Sequence, residues 1–143
     1  MNLGAPLTIT GGLPSTVVRA SGLPLAWSGG NSSDIVQIIG FAGTNTGTGQ
    51  NVIIDAVEFI CTTTAGAGGF TVPASVLTQL PAVTAAQITN GAATGFLEVV
   101  SSVNPAQGNG LFTANLTSAL GGGAIDAGIF TAATGIGALP AYQ

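Results

Sequence analysis

Apolar residues along this chain recur with a period of two. Leu23, Leu25 and Trp27 alternate with Pro24 and Ala26, which places the large side chains on one face of a strand. Runs rich in Val, Ile, Thr and Phe are separated by clusters of Gly, Asn, Ser and Thr. That spacing marks an all-β sandwich or barrel. It predicts strands near 7–10, 16–19, 23–27, 35–40, 52–63, 69–72, 95–103, 111–116 and 125–131. Pro24 lacks an N–H, so its strand should be an edge or carry a bulge there. One segment reads as a short helix, near 73–80: Pro73 and Pro81 bracket it, and Val76, Leu77 and Leu80 fall at helical spacing. The loops fall at 28–33, 42–51, 65–68, 105–110 and 118–123, all rich in Gly, Asn, Thr or Ser. The chain divides into an extended N-terminal segment, 1–12, and a single β-sandwich domain, 13–143, without internal repeats.

Charge changes the picture most. One Arg and five Asp or Glu make up the whole ionic complement, with no His. They are Arg19, Asp34, Asp55, Glu58, Glu98 and Asp126, so Lys is absent as well. Charged residues are 4% of the chain, against about a quarter in an ordinary soluble domain. Mean hydropathy is high, +0.62, because charges are missing and not because apolar residues are in excess. No uninterrupted apolar stretch reaches membrane-spanning length; the most apolar, 52–61, is broken by Asp55 and Glu58. No signal peptide is legible after Met1, and the composition favours a start that follows processing.

These residues exclude much chemistry. Without His or Lys, the Ser-His-Asp, Cys-His and Ser-Lys arrangements have no base, and a His/Cys zinc site has no ligand set. Asp55 and Glu58 stand three apart, which in a straight strand sends them to opposite faces. The chain is therefore read as not an enzyme, with no catalytic residue, cofactor or metal. Asn31-Ser-Ser-Asp34 could offer calcium oxygens, but a polar turn is the simpler reading. Asp126 is expected to cap a turn, and Gly121–Gly123 is no phosphate loop. The sequons at Asn31 and Asn115 carry little weight. One Arg cannot build a phosphate-binding face, so nucleic acid is not a partner; Arg19 is expected to pair with a carboxylate. Cys61 has no disulfide partner and reads as a buried small hydrophobe.

Several segments together resemble a β-sandwich module known from the C-terminal ends of secreted acidobacterial proteins. They are Arg19-Ala-Ser-Gly-Leu-Pro-Leu-Ala-Trp-Ser-Gly-Gly30, Val36-Gln-Ile-Ile-Gly40, Phe59-Ile-Cys61, Gly69-Phe-Thr-Val-Pro-Ala-Ser-Val-Leu-Thr-Gln-Leu-Pro81, Leu97-Glu-Val-Val100 and Asp126-Ala-Gly128. The resemblance implies an immunoglobulin-like antiparallel β-sandwich and an extracellular or cell-surface location. It implies no activity.

A surface with so few charges lacks the usual defence against self-association. The expected function is that of an extracellular structural protein, a filament (pilus-like) or surface-layer subunit whose partners are copies of itself. Without Lys no isopeptide bond can form, so such a polymer is non-covalent. The route expected is strand addition, in which a terminal segment completes a neighbour's sheet. The candidate donor is 3–10, carried by Leu3, Leu7 and Ile9 with Gly11 and Gly12 as a hinge; 136–143 is the lesser candidate. The alternative is an adhesion module of a larger secreted protein, recognising surface glycans or a cell-wall partner through loops at one end of the sandwich. Trp27 and Tyr142 could stack on sugars, and an exposed Trp27 would favour this, but its alternation with Leu23 and Leu25 reads as core.

Overall fold

The computed structural model describes residues 5–46, 53–107, 111–114, 125–129 and 132–143. Strands dominate, as the alternation requires. In chain order they are β1 (Thr8–Ile9), β2 (Thr16–Val17), β3 (Leu23–Ser28), β4 (Ile35–Thr46), β5 (Ile53–Thr64), β6 (Gly69–Val72), β7 (Ala93–Ser102), β8 (Leu111–Ala114), β9 (Ile125–Ile129), β10 (Ala133–Ala138) and β11 (Ala141–Tyr142). Two short helices, α1 (Ala74–Leu77) and α2 (Ala85–Thr89), lie between β6 and β7.

Two antiparallel sheets carry the fold. One has the order β1-β3-β6 and the other β10-β7-β4-β5. Two smaller pairs complete it: β11 runs parallel to β2, and β8 antiparallel to β9. In β3 the buried Leu23, Leu25 and Trp27 alternate with exposed Pro24, Ala26 and Ser28. In the larger sheet Val36 and Ile38 of β4 and Leu97 and Val99 of β7 point inward. The inward faces of both sheets belong to one continuous hydrophobic cluster. An all-β fold built mainly of antiparallel sheets follows from these pairings.

β3 is the middle strand of its sheet and its register with β6 carries no shift, so the edge or bulge expected at Pro24 does not form. The Trp27 N–H donates to the Gly68 carbonyl, so Trp27 and the residues two and four before it face β6. Pro24 therefore faces the β1 side, and β1 has already ended: its register covers only Trp27 and Ser28. The missing N–H costs no ladder bond.

Several elements differ from expectation. β4 continues through Gly40 and Gly43 to Thr46, across positions read as loop. Gly40 is required by packing. A Cβ there would collide with the Phe59 ring and come within 3.0 Å of the Tyr142 hydroxyl oxygen. The second strand stops at Val17, and Arg19 opens a 3₁₀ turn. Residues 65–67 form another 3₁₀ turn. The helix near 73–80 is confined to Ala74–Leu77, with Pro73 as its N-cap. A second helix, α2, was not expected; Thr84 and Gln87 close a capping box at its start. The tail forms β10 and β11. The predicted strand ends at 52, 115–116 and 130–131, and loop residues 47–51, 108–110 and 118–123, lie outside the described residues.

Candidate assembly segment

The N-terminal segment is held in the core by two side chains. Leu7 is 7% exposed and Ile9 6%, because β1 pairs with β3 at Thr8–Ser28 and Ile9–Trp27. The Thr10 N–H donates to the Ala26 carbonyl at 2.9 Å, and the Gly30 N–H to the Ala5 carbonyl at 2.7 Å. The contact is close: a Cβ on Gly29 would collide with the Pro6 carbonyl oxygen. Leu3 lies outside the described residues.

Gly11 and Gly12 follow directly. Their φ angles are +78° and +76°, a left-handed conformation that L side chains rarely adopt. Neither has an atom within 4 Å of an added Cβ position. The two glycines thus form an open turn after a segment of two buried anchors. A groove of about 400 Å³ runs beside them, lined by Thr10, Pro14, Val18, Ser21 and Pro24. A mainly apolar cavity of about 250 Å³ lies at the other end of the segment, between Pro6, Leu7, Gly30, Val103 and Thr134.

The C-terminal candidate is tied more extensively. β10 pairs with β7 over Ala133–Ala138. Tyr142 exchanges backbone hydrogen bonds with Val83 at 2.7 and 2.8 Å, and its hydroxyl donates to the Phe96 carbonyl at 2.8 Å. The Ala141 N–H donates to the Ser15 carbonyl, and the Gln143 N–H to the Val17 carbonyl.

The aromatic residues considered for sugar stacking are both buried. Trp27 is 5% exposed and its indole N–H donates to the Ala65 carbonyl at 3.0 Å. Tyr142 is fully buried. The exposed aromatic platform that would favour the adhesion reading is not formed by either residue.

Arg19 was expected to meet a carboxylate. Instead its Nη1 donates to the Leu80 carbonyl oxygen at 2.6 Å, and its buried Nε has no partner among the described residues. Asp34 is 5% exposed. Its Oδ2 accepts the Asn31 N–H at 2.9 Å, closing the 31–34 turn, while Oδ1 is buried without a partner among the described residues. Asp55 and Glu58 are exposed on β5, whose register with β4 is unbroken, so they point to opposite faces. Asp126 falls within β9 and not at a turn; its side chain, Asn115 and Gly121–Gly123 lie outside the described residues. Cys61 is half-buried, and desolvation pushes its thiol up from the ordinary range. Among the described residues no three Cys, Asp or Glu side chains gather at one point, and no helix is long and apolar enough to cross a membrane.

No family model, curated protein or solved structure matches this chain.

Proposed function

We propose that this protein is an extracellular structural subunit that assembles non-covalently with copies of itself into a filament or surface layer. The domain is an immunoglobulin-like β-sandwich, like the secreted acidobacterial modules its sequence resembles. Assembly proceeds by exchange of the N-terminal segment. In the isolated chain that segment fills its own groove against β3; in the polymer it fills a neighbour's.

One observation carries this reading. Leu7 and Ile9 are core residues, yet they reach the core through a two-residue strand followed by two unencumbered glycines. An element with strong anchors and a short tether is one that can be traded between identical chains at low cost. The same contacts form in either case, and the near absence of charge removes the repulsion that would oppose close subunit packing. A head-to-tail exchange that does not close gives an open polymer.

Electron microscopy and sedimentation of the purified protein, beside a variant lacking residues 1–10, test the proposal. The full chain is expected to form extended particles, and the truncated one to form none, even when a free peptide of residues 1–10 fills its groove. A full chain that stays monomeric at high concentration would overturn it.

A further inference from the structure

We infer that the free edge of β5 is a second self-docking surface, which takes the β5 edge of another copy antiparallel, about a two-fold axis centred on Ile60. The inference deepens the self-assembly reading and rests on it for the identity of the partner.

β5 ends its sheet, and among the described residues it has no second strand neighbour. Its hydrogen-bonding phase follows from two bonds. The Ala65 N–H donates to the Asp34 carbonyl, continuing the β4–β5 register. The Asn45 N–H donates to the Ala92 carbonyl on the opposite side of β4. Odd-numbered residues of β5 therefore face β4, and even-numbered ones turn their N–H and C=O groups to the open side. Those residues include Ala56, Glu58, Ile60, Thr62 and Thr64, all exposed.

Long edge strands are normally blunted by Lys, Pro or a bulge. β5 lacks Lys and Pro, its register with β4 runs without a shift from Ile53 to Thr64, and the one charged residue on its open row is Glu58. Ile60 is 58% exposed, the centre of the open row, and stands beside Ile39 on the outer face.

The charges select the partner's orientation. Two-fold pairing centred on Ile60 sets Ile60 against Ile60, and Glu58 against the partner's Thr62. The two Glu58 carboxylates are then about 13 Å apart along the edge, farther than the screening length at physiological salt. Parallel in-register pairing would stack Glu58 on Glu58, and a centre at Glu58 would set the two carboxylates face to face. An identical chain in the Ile60-centred arrangement satisfies the free backbone groups and covers the exposed isoleucine without opposing like charges.

Cross-linking tests this directly. In a Cys61→Ala background, Ile60→Cys places two thiols on facing residues about 5.5 Å apart at Cα, within disulfide range. Oxidation is expected to yield a covalent dimer, and Thr64→Cys in the same background is expected to yield none. Ile60→Pro removes only an N–H that faces the open side, so the β4 ladder survives; the dimer should be lost while circular dichroism stays that of the parent. Should that variant not fold, Thr62→Glu gives the same reading, because it sets a like charge against the partner's Glu58. Disulfide dimers from Ile60→Cys but not Thr64→Cys support the inference, even if no filament forms. Filaments that persist with Ile60→Pro or Thr62→Glu and give no Ile60→Cys cross-link overturn it and leave segment exchange standing. A protein that is monomeric throughout overturns both.

Discussion

The Tyr142 hydroxyl donates to the Phe96 carbonyl oxygen at 2.8 Å, which fastens the last strand of the chain to the middle of the larger sheet. Burial holds this hydroxyl well above the ordinary tyrosine range. Tyr142→Phe keeps the ring and removes this hydrogen bond. We expect a loss of about 1–2 kcal/mol in chemical denaturation.

The same residue predicts an alkaline limit. An unfolded tyrosine ionises near pH 10, while the folded Tyr142 resists ionisation. Its contribution to stability is therefore complete below about pH 10 and is lost as pH rises beyond it. Denaturation midpoints from pH 8 to 11.5 should fall in the parent and fall less in Tyr142→Phe. Equal slopes would show that Tyr142 is not the group responsible.

Gly40 and Phe59 should behave as a coupled pair. Gly40→Ala drives a methyl into the Phe59 ring and should cost roughly 1–3 kcal/mol, the range for overpacking. Phe59→Leu is destabilising alone but should recover part of that loss in the double variant. A double-mutant cycle with no interaction energy would contradict the packing described.

Trp27, the sole tryptophan, reports on the core. It should emit at short wavelength and resist acrylamide quenching until the protein unfolds. Trp27→Phe removes the indole bond to the Ala65 carbonyl, which keeps the Gly68 N–H, and should cost about 1 kcal/mol for that bond. Strong quenching in the folded state would place the indole at the surface and revive the glycan-binding reading.

The alternation at Leu23–Trp27 was enough to assign β3 and its buried face. Local pattern reached less far where strands are made by long-range partners. β4 beyond Gly40 looks like loop because its glycines supply no side chain; the volume at Gly40 is filled by Phe59 and Tyr142 from elsewhere in the chain, and that at Gly43 by Phe41 of the same strand. β10 is built from Ala, Gly and Thr around one Ile, so it has no alternation to detect, and β11 exists through contacts with β2 and Val83. α2 was legible and missed: Thr84-x-x-Gln87 is a capping box on the page. For the candidate site, Leu7, Ile9, Gly11 and Gly12 could be picked out as an apolar segment and a turn. That the segment's slot is its own groove against β3 required the fold. Charge alone points Arg19 at a carboxylate; its partner is the Leu80 carbonyl, 61 residues away, which the turn after α1 brings near.

Assembly should respond weakly to salt. With Glu58 carboxylates spread along the β5 edge and no Lys in the chain, few ionic contacts exist to screen. Particle mass by light scattering should change little between about 20 and 300 mM NaCl. Dissociation by moderate salt would mean that interfaces depend on the few charges present.

The central claim is that the N-terminal segment changes hands between chains. Thr8 and Ser28 are exposed and face each other across β1 and β3, so Thr8→Cys with Ser28→Cys, in a Cys61→Ala background, can lock the segment to its own chain. Sedimentation velocity of the purified monomer fraction, oxidised and then reduced, is the most direct measurement. The account predicts that the oxidised protein grows no larger than the closed β5-paired dimer, and that reduction restores extended polymers. Polymers of equal length from the locked monomer, or none after reduction, would contradict it.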